Sequence, residues 1–159
     1  MEKLLKIMEE DATLSAKEIA AMLSKEEGDI KKMIANLEAE GVILGKRTVI
    51  DWDKTDREYV TALIEVKVMP QRDDGFDKIA DRISKYSEVK GLFLMSGGFD
   101  FTVMLEGKTM KEVAYFVARK LATIESVTAT ATHFVLKTYK NEGVIYAKPE
   151  KDVRETLIL

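Results

Sequence analysis

Two groups of residues offer this chain a chemistry. The first lies between positions 25 and 47 and comprises Lys25, Lys31, Lys32, Asn36, Lys46 and Arg47. Lysine and arginine neutralise phosphate, and an asparagine amide matches the edge of adenine with one donor and one acceptor. The second is Ser96-Gly97-Gly98, two glycines that suit a tight hairpin or the close approach of a ligand to bare backbone. Other chemistries lack their residues. The 159 residues hold no cysteine and one histidine, His133. No phosphate-binding loop, HExxH zinc signature or serine–histidine constellation occurs. No second strong ligand stands at suggestive spacing from His133, so a structural role is expected and no metal or cofactor is called for. These absences disfavour an enzyme.

The cations between 25 and 47 must be set on a small helical head. Glu2 to Glu9 carries Leu4, Leu5, Ile7 and Met8 on one side. A second helix can be capped by Thr13 or by Ser15, the latter with Glu18 three residues on at the spacing of a capping box, and is signalled by the stripe Ile19, Ala20, Met22, Leu23. Ser24 and Glu27 repeat that spacing before Ile30, Met33, Ile34 and Leu37, and Gly41 can stop the third helix in the left-handed conformation. Val42 to Trp52 reads as an extended segment with a turn near Gly45. Three short amphipathic helices predict a helix-turn-helix of winged type over residues 1–50, with the third helix presented to DNA. Residues 26–40 nevertheless hold five acids, Glu26, Glu27, Asp29, Glu38 and Glu40, against two lysines. Phosphate repels those acids unless they point away. The competing reading is a solvated charged face on a helical packing domain.

Beyond a hinge at 51–58, where Trp52 is expected to act as an anchor, the pattern changes. In Tyr59 to Met69 the residues Val60, Ala62, Ile64, Val66 and Val68 alternate onto one face, and Pro70 ends the strand. A helix over Asp73 to Tyr86 comes next, with Phe76, Ile79, Ala80 and Ile83 inward. Strands Val89 to Met95 and Phe99 to Leu105 flank the glycines. A helix over Thr109 to Thr123 buries Met110, Val113, Phe116, Val117 and Leu121, and a long strand runs from Val127 to Tyr139. Strand, helix, strand, strand, helix, strand is the ferredoxin-like βαββαβ order, here over residues 59–140. The fold class is thus α+β. Such a sheet carries helices on one face only. Leu63, Phe93, Met95, Thr102, Met104 and Phe134 are candidates for one face or the other, and apolar residues in both phases favour a second copy packing on the open face as a two-fold dimer. Residues 141–159 form a tail ending Leu157-Ile158-Leu159, read as an arm or a frayed end.

Apolar residues make up 46% and charged residues 33%, as in folded soluble proteins, and the net charge of -3 excludes a generally basic nucleic-acid coat. The polar start resembles no signal peptide, and no run of apolar residues is long enough to span a membrane. The expected location is the cytoplasm.

With both halves assembled, the chain resembles the leucine-responsive/AsnC, or feast/famine, family of transcription regulators. The resemblance covers roughly residues 2–140. It is carried by SAKEIAAMLS, by IKKMIANLEAEGVI with its closing Leu37-Glu38-x-Glu40-Gly41-Val42-Ile43, by Ser96-Gly97-Gly98-Phe99-Asp100 and by Val127-x-x-Thr130-x-Thr132. It implies a helix-turn-helix that binds double-stranded DNA, a body that dimerises through its sheets, and assembly into rings, commonly octamers. It further implies a small effector, typically an amino acid, held between bodies near Gly97, Gly98, Phe99 and Asp100, with Thr130 and Thr132 as weaker candidates. The glycines would admit a carboxylate to backbone amides, while Asp100 would pair with an α-ammonium or serve only as a turn acceptor. The chain departs from the pattern in its acidic third helix, in Thr55 and Asp56 where a glycine is usual, and in Ser126 where glycine is common. The rival to a DNA-binding regulator is a ligand-sensing assembly protein with weak or no DNA binding.

Overall fold

The computed structural model describes residues 1–69 and 75–146. The chain divides into two compact units, one comprising Met1–Ile50 and the other starting at Asp51.

The head consists of α1 (Glu2–Glu10), α2 (Ala16–Leu23) and α3 (Glu27–Ala39). Leu4, Ile19, Ala20, Ile30 and Leu37 form its buried core, one or two from each helix. Burying an aliphatic side chain of this size contributes about 1.5–3 kcal/mol, which is what holds three helices too short to persist alone. The capping box forms: Ser15 N–H donates to the Glu18 carboxylate at 2.8 Å, and Glu18 N–H donates to Ser15 Oγ at 3.3 Å. Hydrogen bonds from the Ser15 side chain, then from its backbone, hold the Glu18 carboxyl below the ordinary glutamate range. A carboxylate with a lowered folded pKa contributes stability that is complete above its unfolded pKa and is lost as pH falls through the folded value. Glu18→Gln is therefore expected to flatten the acid limb of the head's thermal unfolding curve. Parallel acid limbs for the two proteins would contradict this assignment.

Ser24 does not cap α3. It sits in the left-handed region (φ 51, ψ 49) as the C-cap of α2, and Glu26 occupies the N-cap of α3 without a side-chain bond. The tight turn of Ser24, Lys25 and Glu26 needs that left-handed residue, and the requirement overrides the serine's capping preference. Met22 is 60% exposed, because at about 100° per residue it falls well away from the side that Ile19, Ala20 and Leu23 share. At the other end of α3, Gly41 (φ 70) closes a Schellman motif: Val42 N–H reaches Leu37 C=O and Gly41 N–H reaches Glu38 C=O. Among the described residues 42–50 no strand ladder forms, so the expected wing is unpaired in the single chain.

The hinge is stapled internally. The Arg57 guanidinium lies 4.3 Å from the centre of the Trp52 ring, and Tyr59 donates to Asp53 at 3.2 Å. The body comprises β1 (Val60–Val68), α4 (Phe76–Ser84), β2 (Val89–Leu94), β3 (Phe101–Gly107), α5 (Met110–Phe116) and β4 (Val127–Phe134). The sheet order is β2-β3-β1-β4, antiparallel throughout, which is the expected ferredoxin-like arrangement. Pro70, Asp73 and Asp74, the expected end of β1 and start of α4, lie outside the described residues.

Ala62, Ile64, Val66 and Val68 are buried against the helices together with Phe101, Val103, Leu105, Ile79, Ile83, Val113, Phe116, Val117 and Leu121. Met110, expected among them, is 53% exposed at the first position of α5. The helix does not run evenly to Thr123 either: Val117–Leu121 is a π turn, closed by Ala122 N–H donating to Val117 C=O at 2.8 Å. β4 stops at Phe134 rather than Tyr139. The chain then makes a small hairpin, β5 (Lys140–Asn141) with β6 (Val144–Ile145). Glu142 and Gly143 both have positive φ, as a two-residue turn of type I′ requires. Residues 157–159 lie outside the described residues.

On the sheet's other face, register brings Leu63 opposite both Met104 and His133, Glu65 opposite Thr102 and Ala131, and Phe93 opposite Thr102. Phe93 is 52% exposed. Its ring lies over Gly91, where an added Cβ would meet Phe93 Cε2 at 3.0 Å. Phe134, opposite Ala62, belongs to the helix side. The open face thus carries Leu63, Phe93, Met104 and Ala131 with Thr102 and Glu65 set among them, and Glu65 stands 3.4 Å from His133 on the neighbouring strand.

Candidate functional site

In the head, Ile30 and Leu37 fix the inward side of α3. At about 100° per residue the opposite crown is Gly28, Lys32, Ala35 and Ala39, all exposed. Asn36 and Asp29 lie on one shoulder of that crown, Glu27 and Glu38 on the other. The acids counted against DNA binding are therefore off the crown, and its small side chains let a helix enter a groove closely. Lys31 is bound to Glu27 at 2.6 Å, and that hydrogen bond holds the Glu27 carboxyl below its ordinary range. Lys31 is thus a weaker candidate than Lys32. Lys25 sits in the turn before α3, and Lys46 and Arg47 lie in the extended segment after it; all three are exposed.

In the body, Gly98, Phe99 and Thr130 come together. They line a cleft of about 150 Å³ with Glu65, Lys67, Ala129 and Ala131. Gly97 supplies the turn (φ 138) and does not line the cleft. Thr132 pairs with Ile64 two positions along β4 and does not line it either. Asp100 is occupied: its carboxylate accepts Val68 N–H at 2.8 Å, where the β1–β4 register shifts. Its backbone is also bound, through N–H to Val66 C=O and through C=O from Met95 N–H. Asp100 thus fastens the glycine turn onto the end of β1 through a bond to another strand, rather than acting as an acceptor within its own turn. The charged groups beside the cleft are Glu65 and Lys67, which sequence reasoning passed over. The strict alternation of β1 already put both in the phase opposite to Val60, Ala62 and Ile64. About 150 Å³ falls below the ~300 Å³ at which small-molecule sites usually begin. Among the described residues no cluster of His, Cys, Asp or Glu could hold a metal ion, and no helix is long and apolar enough to cross a membrane.

A helix-turn-helix head on a ferredoxin-like ligand-binding body defines a class of ligand-responsive transcription regulators. Residues 61–145 match the Lrp/AsnC ligand binding domain. The chain is 42% identical over 153 residues to the HTH-type transcriptional regulator YugG of Bacillus subtilis, covering 96% of this chain and 92% of that relative. It is 23% identical over 142 residues to the proline dehydrogenase transcriptional activator of Rhizobium radiobacter, covering 89% and 90%. Among solved structures it is similar to the regulator NMB0573 of Neisseria meningitidis in complex with L-Met, with TM-score 0.70, 21% identity and coverage of 87% and 89%. An AsnC family regulator from Agrobacterium tumefaciens gives TM-score 0.69 at 21% identity, covering 98% and 97%. The chain belongs to the Lrp/AsnC family of transcriptional regulators, a family of DNA-binding proteins that respond to ligands rather than of enzymes.

Proposed function

We propose that this chain is a cytoplasmic regulator that binds double-stranded DNA through α3 and packs its open sheet face on a second copy. In this reading residues 1–50 are the reader, 51–58 the hinge, 59–140 the effector and dimer domain, and 141–159 a tail. Dimers assemble further into a ring such as an octamer, and an amino acid held near Gly98, Phe99 and Thr130 changes that assembly or the DNA affinity. The observation that carries the reading is the α3 crown, with Lys32 between small side chains and the acids on its shoulders. The small volume of the Gly98 cleft fits a site completed by another body, so that ligand and assembly are thermodynamically linked. A related structure holding L-Met adds support for an amino-acid effector. Lys67 is suited to the effector's carboxylate and Glu65 to its ammonium, with Asp100 positioning the turn. The rival, an assembly protein with little DNA binding, draws on the Lys31–Glu27 pair, which removes one cation from the helix.

Gly98→Val tests the effector part. Nothing lies within 4 Å of a Cβ at this position, so the fold accommodates the substitution while the branched side chain intrudes on the cleft. Titrating single amino acids into the whole chain by calorimetry should show one or more that bind, with at least about tenfold loss in the variant and an unchanged oligomer without ligand. Equal affinity in both proteins would remove the cleft from the effector site.

A further inference from the structure

A separate cavity of about 390 Å³ lies between the end of β3 and α5 and shares no lining residue with the Gly98 cleft. Its volume is within the range of small-molecule sites. Leu105, Val113 and Phe116 give it a buried apolar floor, and Tyr115 forms a wall. Gly107 leaves bare backbone on another side, where a Cβ would come within 3.1 Å of Val113 Cγ2.

The charged groups around the cavity are not equivalent. Lys120 is engaged by Glu88 at 2.7 Å and lies over the rings of Tyr86 and Phe116 at 4.9 and 5.1 Å. That hydrogen bond from Lys120 is the main reason the Glu88 carboxyl stays below its ordinary range. Glu112 accepts Lys108 N–H at 2.7 Å. Glu106 pairs in register with Thr61, and strand alternation sends its side chain to the face opposite buried Leu105. Arg119 is different. Its guanidinium stands 5.1 Å from the centre of the Tyr115 ring, and among the described residues no carboxylate pairs with it. Arg119 and Lys120 both belong to the π turn Val117–Leu121. A π turn inserts a residue into a helix and rotates the side chains beyond it, and such turns are frequent at functional sites.

We propose that this cavity is a second ligand site, selective for a compact apolar or aromatic carboxylate. The hydrocarbon part rests on Leu105, Val113 and Phe116, and the carboxylate takes the two-pronged hydrogen bond that a planar guanidinium offers. The site requires neither effector binding at the Gly98 cleft nor DNA binding.

The test uses two probes with one aromatic body and opposite charge, 3-phenylpropionate and 2-phenylethylammonium, titrated into the whole chain and monitored by ligand-observed NMR and calorimetry. The carboxylate should bind in the millimolar range or tighter, and the ammonium should not. Arg119→Gln should weaken the carboxylate about tenfold, Arg119→Lys should restore part of the loss, and Gly98→Val should leave it unchanged. Arg119 is exposed, so these variants fold. The proposal is overturned by equal or preferred binding of the ammonium, by no binding of either probe at millimolar concentration, by full affinity in Arg119→Gln, or by loss in Gly98→Val.

Discussion

Reversing Lys32 and Arg47 to glutamate should lower DNA affinity by at least about a hundredfold near 0.1 M salt, with assembly intact. Both side chains are exposed and neither has a role in the head's core of Leu4, Ile19, Ala20, Ile30 and Leu37, so helix content should not change. The size comes from counterion release: each phosphate neutralised contributes about 0.9 to the slope of log affinity against log salt. Two cations in each of two heads remove about four contacts, so the slope should shrink by roughly 3 to 4 as well. Reversing Lys31 alone should cost less, because Glu27 already holds it. A double variant with wild-type affinity and slope would move the contact elsewhere, and unchanged weak binding in both proteins would favour the assembly reading.

Placing aspartate at Leu63 and Met104 should convert the proposed dimer to a folded monomer. The two residues stand opposite each other on the open face, pointing away from the helix-side core of Ala62, Ile64, Val103 and Leu105. A two-fold interface repeats every substitution, so the pair of changes brings four further carboxylates into one seam that already holds Glu65. An unpaired charge left at such a seam costs on the order of 3–5 kcal/mol. Even one such cost raises the dissociation constant by more than about a hundredfold. Sedimentation should show a monomer with native thermal unfolding of its body. A variant that still sediments as a dimer would place the interface on another surface.

Much of this fold is legible in the residues, and the reason is local. β1 lies between β3 and β4 with one face covered from Ala62 to Val68, so the alternation of Ala62, Ile64, Val66 and Val68 has a single solution, while Val60 at the strand's start is only half-buried. The capping box at Ser15 is likewise a contact across three residues. The features that spacing misplaces depend on geometry beyond such short reach. Ser24 has the right type and spacing to cap α3, yet the turn between α2 and α3 demands a left-handed residue at that place. Met110 stands at the first position of its helix, and Met22 falls well away from the side that Ile19, Ala20 and Leu23 share.

The candidate site is less legible than the fold. Asp100 is chemically fit for an ammonium, but its carboxylate is taken by Val68 N–H, 32 positions away in the chain. Only the folded register reveals that. Lys67 and Glu65 gain their interest from facing Gly98 and Phe99 across the sheet end, which no spacing announces. Counted along the chain, the acids of α3 oppose DNA binding; helix geometry sorts them onto its shoulders. The π turn that carries Arg119 has no signature in an evenly apolar stripe.

The most direct measurement is selection of genomic DNA fragments by the purified chain at low salt, with and without a mixture of amino acids, and then affinity measurement across a salt series. The expected result is enrichment of palindromic fragments, affinity that falls steeply with salt, and a change in the enriched set or its affinity when the amino acids are present. Failure to enrich any fragment in a properly assembled sample would contradict the assignment of α3 as a DNA-reading helix.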